Sequence, residues 1–254
     1  MDLTETQWNI LKPLLPKTRN GMVGRPAQDL RKIVNGILWI CKTGAAWNEL
    51  PEKYVPYQTC HRYFQKWCMS GLWNKILWRI AEDLRDRGKI DLTECFIDGT
   101  FATAKKGALV FGKTKKGKGT KIMAIADASG LPISLWVGAA NTHECKLVEK
   151  TIDAKFVKGR PQKLIGDMAY DSDPLDAQLR KRKIKMIAPH KRNRKKKATQ
   201  DGRTLRKYKR RWKIERLFAW LQNQRRCTTR YDYHVENFLG FVQLACIKIL
   251  IKQF

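Results

Sequence analysis

The stretch Lys121-Ile-Met-Ala-Ile-Ala-Asp127-Ala-Ser-Gly130-Leu-Pro-Ile-Ser-Leu-Trp-Val137 contains two short apolar runs separated by small and polar residues. Ala128, Ser129 and Gly130 are typical of a tight turn, because glycine accepts the positive φ that many hairpin turns require. The stretch therefore predicts an antiparallel hairpin in which Lys121–Asp127 pairs with Leu131–Val137.

Short apolar runs on both sides extend this hairpin into a larger sheet. One strand is predicted before it, at Glu94–Asp98, and two after it, at Leu164–Asp167 and Ile184–Ala188. Helices are predicted at Thr142–Ala154, Pro174–Lys183, Thr204–Arg225 and Glu236–Lys252. Hairpin strands followed by alternating helices and strands are typical of an α/β fold, with a mixed sheet and flanking helices.

The chain before about Gly88 has helical periodicity instead. A capping box at Thr4–Gln7 begins a first helix, and Asp29 begins a second one that should end at Gly44. Two further helices, Tyr57–Met69 and Leu72–Arg87, flank a short turn. The sequence thus predicts an all-α, helix-turn-helix-like domain over residues 1–89 and an α/β domain over residues 90–254.

The composition indicates a folded protein with a polyanionic partner. Lys and Arg number 52 against 23 Asp and Glu, which leaves a formal net charge of +29 on 254 residues. Solubility does not require so large an excess, so DNA or RNA is the expected partner. A ribosomal-type binder and a merely solvated basic surface are the alternatives. Because 43% of the residues are hydrophobic, the chain can bury a core and is not a disordered basic tail.

The seven cysteines are scattered, odd in number and without C-x-x-C spacing, which favours reduced, buried thiols and an intracellular location. Cys60, His61 and Cys68 are close enough in sequence for a zinc site, but a second ligand pair is missing, and core packing explains the two cysteines. The apolar run at residues 235–254 is interrupted by Gln243 and two lysines. We therefore expect neither a membrane span nor a secretion signal.

Three acidic residues have surroundings that suggest a metal site. Asp98 and Asp167 each follow a short apolar run, and Glu215 ends the cationic stretch Tyr208-Lys-Arg-Arg-Trp-Lys-Ile-Glu215. Because α/β sheets present ligands at the carboxyl ends of their strands, Asp98 and Asp167 are expected at that edge. Residues three and four apart share a helical face, so Tyr208, Arg211 and Glu215 are expected on one side of a helix.

Converging carboxylates repel one another and raise each other's pKa unless a divalent cation binds between them. Asp98, Asp167 and Glu215 are therefore predicted to hold Mg²⁺ or Mn²⁺. Two such ions, about 3.5–4 Å apart, can clamp the attacking and leaving oxygens of a phosphodiester. The simpler interpretation is that acids at strand ends occur in any α/β protein. The net charge favours the metal site.

The stretch Gly107-Ala-Leu-Val-Phe-Gly112-Lys113-Thr114 matches the phosphate-loop pattern G-x-x-x-x-G-K-[ST], which makes nucleotide binding an alternative. A phosphate loop should lead directly into a helix, whereas the glycine- and lysine-rich residues 115–119 disfavour one. The favoured interpretation is a Lys/Gly loop that follows a nucleic-acid backbone. Its predicted contacts are Lys113, Lys115 and Lys116.

Two further groups of side chains are predicted to contact DNA. Many DNA-binding domains present a helix to the major groove after a short turn, and the Tyr57–Met69 helix has one polar face. Its predicted contacts are Gln58, Arg62, Gln65 and Lys66, with His61 on the same face. The basic run after His190 is predicted to grip phosphates through Lys195, Lys196 and Lys197. An ordinary polar face and a disordered or localisation-type patch are the simpler interpretations.

Several motifs resemble those of bacterial insertion-sequence transposases of the insertion-sequence-five family. In the helical part they are Gly24-Arg-Pro26, Asn35-Gly-Ile-Leu-Trp39, Thr43-Gly-Ala-Ala-Trp47 and Leu50-Pro51. In the remainder they are Phe96-Ile-Asp-Gly-Thr100, Asp127-Ala-Ser-Gly-Leu-Pro132, Ile165-Gly-Asp-Met-Ala-Tyr-Asp-Ser-Asp-Pro174 and Tyr208-Lys-Arg-Arg-Trp-Lys-Ile-Glu-Arg-Leu-Phe-Ala-Trp220. Because these motifs occur in the family's order, the resemblance covers nearly the whole chain.

The resemblance implies a ribonuclease H-like catalytic domain with an Asp-Asp-Glu triad, whose positions match Asp98, Asp167 and Glu215. Related transposases share a Tyr-x2-Arg-x3-Glu-x6-Lys signature. Tyr208 and Arg211 match its Tyr and Arg, and the resemblance implies that they position phosphate. The last position of the signature holds Gln222 instead of Lys. Arg225 or Arg226, one helical turn further, is the expected substitute.

The resemblance also implies a reaction and its partners. Water would hydrolyse a phosphodiester at the terminal inverted repeat of an insertion sequence, and the freed 3′-hydroxyl would attack target DNA without a covalent protein intermediate. Two double-stranded DNA ends must be held together, so at least a homodimer is expected, nucleoid-associated in the bacterial cytoplasm. The alternatives are a catalytically inactive or domesticated DNA-binding protein that keeps the fold, and an ATP-dependent DNA motor.

Overall fold

The computed structural model of the chain describes residues 2–16, 28–105, 109, 111–195, 197–200 and 202–254. Its first part is helical, as the sequence predicts. The helices are α1, Glu5–Leu11; α2, Leu30–Thr43; α3, Tyr57–Met69; and α4, Leu72–Asp86. The motif residues Gly24 and Pro26 lie outside the described residues.

Local capping explains where these helices begin and end. The Thr4 hydroxyl accepts a hydrogen bond from the Gln7 amide at 3.2 Å, and the Gln7 side chain accepts one from the Thr4 amide at 3.3 Å. This confirms the predicted capping box. The Asp29 carboxylate accepts from two backbone amides at the start of α2, and Gly44 ends that helix with a φ of 72°. Left-handed backbone favours glycine, so this helix ends where the sequence predicts.

The second part of the chain forms a mixed sheet. Its strands are β1, Glu94–Ala104; β2, Gly112–Thr114; β3, Gly117–Ala126; β4, Pro132–Ala139; β5, Lys163–Ile165; β6, Lys185–Ile187; and β7, Thr229–Arg230. The predicted hairpin is β3 and β4, which pair antiparallel across the turn at Gly130. β3 also pairs antiparallel with β1, whereas β5 is parallel to β1 and β6 is parallel to β5. The central order is therefore β4-β3-β1-β5-β6.

Helices flank this sheet. They are α5, Val148–Asp153; α6, Asp173–Lys181; α7, Gly202–Leu205; α8, Trp212–Gln222; α9, Arg225–Thr228; and α10, Val235–Leu250. α5 contacts β3 and β4, α8 contacts β1 and β3, and α6 contacts β6. The mixed α/β sheet with flanking helices confirms the fold class predicted from the sequence.

β1 is longer than its sequence pattern indicates. The sequence predicts a strand that ends at Asp98, but residues 99–103 continue the antiparallel pairing with β3. Asp98 therefore lies inside a strand, and the prediction that it closes one was wrong. The parallel pairing of β1 with β5 nevertheless stops at Phe96, so Asp98 lies just beyond the parallel part of the sheet.

The predicted helix Thr204–Arg225 is divided into segments. Between α7 and α8 the backbone is a 3₁₀ helix, Arg206–Arg211, so Tyr208 and Arg211 do not share one continuous α-helix with Glu215. Five of these six residues are Lys or Arg, and Lys207 and Arg210 both bind Glu94 at the start of β1. A periodicity argument does not include such tertiary ion pairs.

The sequence predicts a Lys/Gly loop, but for residues 112–119 that prediction was wrong. β2 and the start of β3 form a short hairpin, with Thr114 paired to Gly117. Gly117 has a φ of 97°, which suits it to the turn. Lys113, Lys115 and Lys116 are exposed on this hairpin.

One hydrophobic core joins the helical part to the rest of the chain. α10 contacts α2, α3 and α4 as well as β4 and α8. At the centre of this contact, the rings of Phe64 in α3 and Phe241 in α10 stack with centroids 4.2 Å apart. The helical bundle thus includes a helix from far along the chain, and the division between residues 89 and 90 stays a prediction.

All seven cysteines are free thiols. Cys60 is fully buried, with its sulfur against the carbonyl oxygens of Ile33 and Val55, and burial raises its pKa to about 12. Core packing accounts for this position. Among the helices of the described residues, none is both long and apolar enough to cross a membrane.

Candidate active site

The sheet places Asp98 and Asp167 at matching positions on neighbouring strands. The last parallel pair between β1 and β5 is Phe96 with Ile165. Each aspartate lies two residues beyond its member of that pair. Since residues two apart in extended backbone point to the same face, both carboxylates belong to one face at one edge of the parallel sheet. The prediction that Asp98 and Asp167 lie at one edge of the sheet depends on this register.

The Asp98 carboxylate is largely buried and has two hydrogen-bond donors. Its side chain is 14% exposed, and its Oδ2 accepts a hydrogen bond from Arg211 Nη2 at 2.8 Å. Its Oδ1 accepts from the Gly99 amide at 2.8 Å. Burial raises the pKa of Asp98, although Arg211 and the Gly99 amide oppose the shift.

Asp167 begins a short turn directly after β5. Its Oδ1 accepts a hydrogen bond from the Ala169 amide at 2.8 Å, which caps the 3₁₀ turn Met168–Tyr170. The second carboxylate oxygen is not used in this cap. Asp167 is therefore fixed by its own turn, and its Oδ2 accepts no hydrogen bond from the part of the chain that the structure describes.

Arg211 links Asp98 to Glu215. Its Nη2 lies 2.8 Å from Asp98 Oδ2 and 3.4 Å from Glu215 Oε1, and its Nη1 donates to the Tyr208 hydroxyl at 3.2 Å. Burial alone would disfavour the charged guanidinium, but Asp98 and Tyr208 raise the pKa of Arg211 above its ordinary value. The Glu215 side chain is 58% exposed. The structure thus joins Tyr208, Arg211, Glu215 and Asp98 in one contact network.

Two sets of contacts hold the Arg206–Gln222 segment over the sheet. Burial by itself would raise the pKa of Glu94, but its ion pairs with Lys207 and Arg210 lower that pKa. At the β3–β4 turn, Lys213 donates to the Ala128 carbonyl, and Arg216 donates to the Ser129 carbonyl at 2.6 Å. The segment that carries Glu215 is therefore fastened at the edge where β1 begins.

The β3–β4 turn is itself held by a buried aspartate. Asp127 is fully buried, and its carboxylate accepts hydrogen bonds from the amides of Leu131 at 2.7 Å, Ser129 at 2.9 Å and Asp91 at 2.9 Å. Every one of these contacts is with backbone. Asp127 consequently stabilises the turn that receives α8.

The chemistry of the acidic side chains fits Mg²⁺ or Mn²⁺, which prefer hard oxygen ligands. Their arrangement does not form a cage: within the described ranges, no three His, Cys, Asp or Glu residues are placed to hold one metal ion. The Arg211 guanidinium lies where Asp98 and Glu215 come together. Asp98, Asp167 and Glu215 as the catalytic and metal-binding residues therefore stay a prediction.

The last position of the signature, Gln222, also has a defined contact. Gln222 Nε2 lies 3.5 Å from Thr100 Oγ1 on β1. Two arginines are expected to replace the signature Lys. One of them, Arg226, is buried and donates to the Ala45 carbonyl at 2.8 Å, so its side chain is part of the packed core between the helices. Arg225 is exposed and stays a candidate for the phosphate contact.

The basic run after His190 is anchored beside the candidate site. Asp171 accepts from the Lys191 amide at 2.8 Å and Arg194 Nη1 at 2.9 Å, and lies 3.0 Å from His190 Nδ1. Burial alone would raise the pKa of Asp171, but these partners lower it. Lys195 and Lys197 are exposed, while Lys196 lies outside the described residues. The run is thus fastened near its start, and its phosphate contacts stay a prediction.

The polar face of α3 is accessible at most of the predicted positions. Gln58, Arg62 and Lys66 are exposed, and Gln65 is half-buried. His61 instead stacks on Trp47, with ring centroids 4.7 Å apart, and burial lowers its pKa. Contact of this face with DNA stays a prediction.

The phosphate-loop alternative does not fit the backbone. Gly112, Lys113 and Thr114 form strand β2 and are followed by a turn and β3. A nucleotide phosphate site of this kind needs a helix N-terminus directly after the loop. Gly107, Ala108 and Val110 lie outside the described residues.

Sequence reasoning missed two side chains near Asp98, namely those of Glu144 and Tyr170. Glu144 begins a 3₁₀ turn, Glu144–Leu147, that precedes α5, and Tyr170 ends the turn after Asp167. The sequence placed Glu144 inside a predicted helix, where nothing in its spacing connects it to Asp98. The only signal is the small residue Gly99, which leaves room above β1.

Residues 91–247 match a family described as "Transposase DDE domain". The chain belongs to the DDE transposases. Residues 3–77 match a second family, described as "Putative transposase of IS4/5 family". The two matches confirm the family resemblance drawn from the motifs and together span both the helical part and the sheet.

Two proteins that are similar to this chain come from insertion sequences. A "Putative transposase for insertion sequence element IS402" from Burkholderia cepacia is 30% identical over 139 residues, 52% of this chain and 62% of that protein. A "Putative transposase for insertion sequence element IS6501" from Brucella ovis is 33% identical over 135 residues, 52% of this chain and 98% of that protein. The match thus spans less than two thirds of the first relative and nearly all of the second.

A solved structure extends the likeness to the fold of this chain. The cryo-EM structure of a piggyBac transposase synaptic complex with hairpin DNA is similar with a TM-score of 0.56 and 12% identity, covering 98% of this chain and 70% of that one. At this identity the likeness concerns the fold alone. Together with the mixed sheet, it confirms the predicted ribonuclease H-like fold.

Proposed function

We propose that this protein is a metal-dependent DNA transposase that cuts at the terminal inverted repeats of an insertion sequence and joins the freed ends to target DNA. The observation that carries the proposal is the register of the sheet, which sets Asp98 and Asp167 level on neighbouring strands. The segment with Glu215 reaches Asp98 through Arg211. Family membership supports the same chemistry.

In this proposal Asp98, Asp167 and Glu215 hold Mg²⁺ or Mn²⁺, two ions per site. Bound divalent ions would stabilise the charge on the attacking and leaving oxygens of the phosphodiester. The chain contributes the fixed positions of the ligands. Asp98 is held by a strand and Asp167 by its capped turn, whereas the exposed Glu215 side chain has room to move towards them.

Arg211 and Tyr208 are proposed to position the scissile phosphate. A guanidinium offers several donors in one plane and suits a phosphate as well as a carboxylate. Arg211 is oriented by Asp98 and Tyr208, so its remaining donors are already placed at the site. A phosphate that binds there would share Arg211 with Asp98 and weaken the ion pairs of Arg211 with Asp98 and Glu215.

The basic surface is proposed to bind double-stranded DNA, both inverted repeats and target. The exposed α3 face would read the repeat, while Lys113, Lys115, Lys116, Lys195, Lys196 and Lys197 would bind phosphates. Two ends must be held together, so we propose at least a dimer on DNA, associated with the bacterial nucleoid.

Cleavage of labelled inverted-repeat duplexes tests the proposal directly. The full chain should nick or cut at the repeat end with Mg²⁺ or Mn²⁺, and EDTA should stop the reaction. A scrambled duplex of equal length is the control for sequence preference. Binding without cleavage under all metal conditions would instead favour the inactive DNA-binding protein, and cleavage that requires ATP would favour a DNA motor.

Sequence preference and phosphate grip should separate by mutation. Arg62→Ala or Gln65→Ala should cost about 1–3 kcal/mol on inverted-repeat DNA and little on scrambled DNA, because a base contact is lost. The double variant Lys195→Ala/Lys197→Ala should weaken binding to both duplexes alike and reduce the salt slope by up to about 0.9 per lost phosphate contact. Salt titrations of both duplexes measure the two effects. Loss of preference in the lysine variant alone would place the reading surface elsewhere.

A further inference from the structure

A cavity of about 620 Å³ lies where the N-terminal helices meet the start of α10. Its wall is formed by the segment directly after α2, by α3 and by residues 231–234, which connect β7 to α10. Residues 44–47 of this wall belong to one of the motifs of the family resemblance, and the proposed function gives that motif no role. A cavity of this volume can enclose a small organic group.

Aromatic side chains surround this cavity. Tyr231 and Tyr233 are 52% and 54% exposed. The Trp47 ring lies against His61 with centroids 4.7 Å apart, and the guanidinium carbon of Arg226 lies 5.0 Å from the centroid of the Tyr231 ring. Aromatic rings and guanidinium planes are the surfaces on which unpaired nucleobases stack. The wall of the cavity therefore suits a flat, partly apolar ligand.

Two buried polar atoms in this wall are unsatisfied. Arg226 Nε and Asp232 Oδ2 have no hydrogen-bond partner among the residues that the structure describes. Arg226 uses Nη2 instead, which donates to the Ala45 carbonyl at 2.8 Å. Burial raises the pKa of Asp232, although the charges of Arg226 and Arg230 oppose the shift. An unpaired donor and an unpaired acceptor destabilise the folded chain, and a ligand that carries both an acceptor and a donor would satisfy them.

We propose that this cavity binds one unpaired nucleobase of the DNA, with Tyr231 and Tyr233 as the stacking rings and with Arg226 and Asp232 as hydrogen-bond partners of the base edge. The inference rests on the proposed function. Nucleobases are flat and carry acceptors and donors on the same edge. Gln65, which is predicted to contact DNA from α3, also lines the cavity, so DNA on that face would reach its opening.

The base must come from an unpaired position, because a base inside a duplex is stacked and cannot enter a cavity without leaving the helix. The net charge of +29 supplies the attraction for the backbone, and the cavity adds contacts that only a base can make. Removing the base from one nucleotide while its phosphates stay in place therefore isolates the contribution of this cavity.

Two sets of inverted-repeat duplexes make this comparison. One set carries a single unpaired adenine at successive positions, and the matched set carries an abasic analogue there. The full chain in EDTA should bind the best adenine duplex about tenfold or more tightly than its abasic partner. Tyr233→Ala should lower this ratio several-fold, whereas Tyr233→Phe, which keeps the ring, should preserve it. Phe254→Ala removes an exposed ring that does not line the cavity, and is the matched control.

A cavity that only joins the N-terminal helices to α10 is the competing explanation. Equal binding of both sets by the wild type would overturn the nucleobase site, and the proposed function would still stand if the same protein cut the repeat with Mg²⁺. A folded Tyr231→Ala/Tyr233→Ala variant that keeps the full ratio would also overturn it, because the base would then bind elsewhere. Asp232→Asn replaces part of the acceptor with a donor and should lower the ratio. Thermal unfolding shows whether each variant is folded.

Discussion

Replacing Asp98 or Asp167 with alanine should reduce cleavage of inverted-repeat DNA by about a thousandfold or more, with binding to the same DNA nearly unchanged. Each change removes a predicted metal ligand, and the loss of several kcal/mol of transition-state stabilisation corresponds to at least three powers of ten in rate. The basic surface that holds DNA is not altered. Single-turnover cleavage with Mg²⁺, together with a binding isotherm for each variant, measures both quantities.

Glu215→Ala belongs in the same series, because its side chain is the exposed member of the predicted triad. It should lose cleavage to a similar degree if the side chain moves towards Asp98 when DNA binds. Glu52→Gln, an exposed acid far from the sheet edge in sequence, is the control. A triad variant that cuts at nearly the wild-type rate would remove that residue from the site.

Phe241→Ala should lower the free energy of unfolding by about 3–5 kcal/mol, the usual cost of deleting a fully buried aromatic side chain. Its ring stacks on Phe64 at 4.2 Å and lies 6.2 Å from Trp47, so α10 and the N-terminal helices lose their central contact together. Denaturant titration followed by tryptophan fluorescence measures the change. Tyr233→Ala, at a half-exposed ring, should change stability by less than about 0.5 kcal/mol.

The shape of the Phe241→Ala transition also tests the division of the chain. A single cooperative transition would mean that residues 1–89 do not fold apart from α10. Two separated transitions, with the first one unaffected by the substitution, would show an independent N-terminal domain and would contradict the shared core described above.

The sequence predicts those features that depend on neighbouring residues. The Thr4 capping box, the Asp29 N-cap, the Gly44 C-cap and the β3–β4 hairpin all form as expected, because local hydrogen bonds and turn geometry decide them. The sheet edge that Asp98 and Asp167 share could also be predicted from the sequence, because α/β sheets usually place ligands at the carboxyl ends of their strands.

Features that depend on distant residues could not be read in the same way. The 3₁₀ segment Arg206–Arg211 forms ion pairs with Glu94, which is more than a hundred residues away in sequence. β1 extends past Asp98 because β3 is there to pair with it. Glu144 reaches Gly99 only through the return of the chain after β4, and no spacing in the sequence reports that contact.

The position of α10 among the N-terminal helices has a consequence for synthesis on the ribosome. At roughly 5–20 residues per second, the interval between completion of α4 and completion of α10 is on the order of ten to thirty seconds. During that interval Phe64 and its neighbours lack the helix that covers them. A nascent chain would therefore expose an apolar surface to chaperones and proteases until the sheet and α10 have been translated.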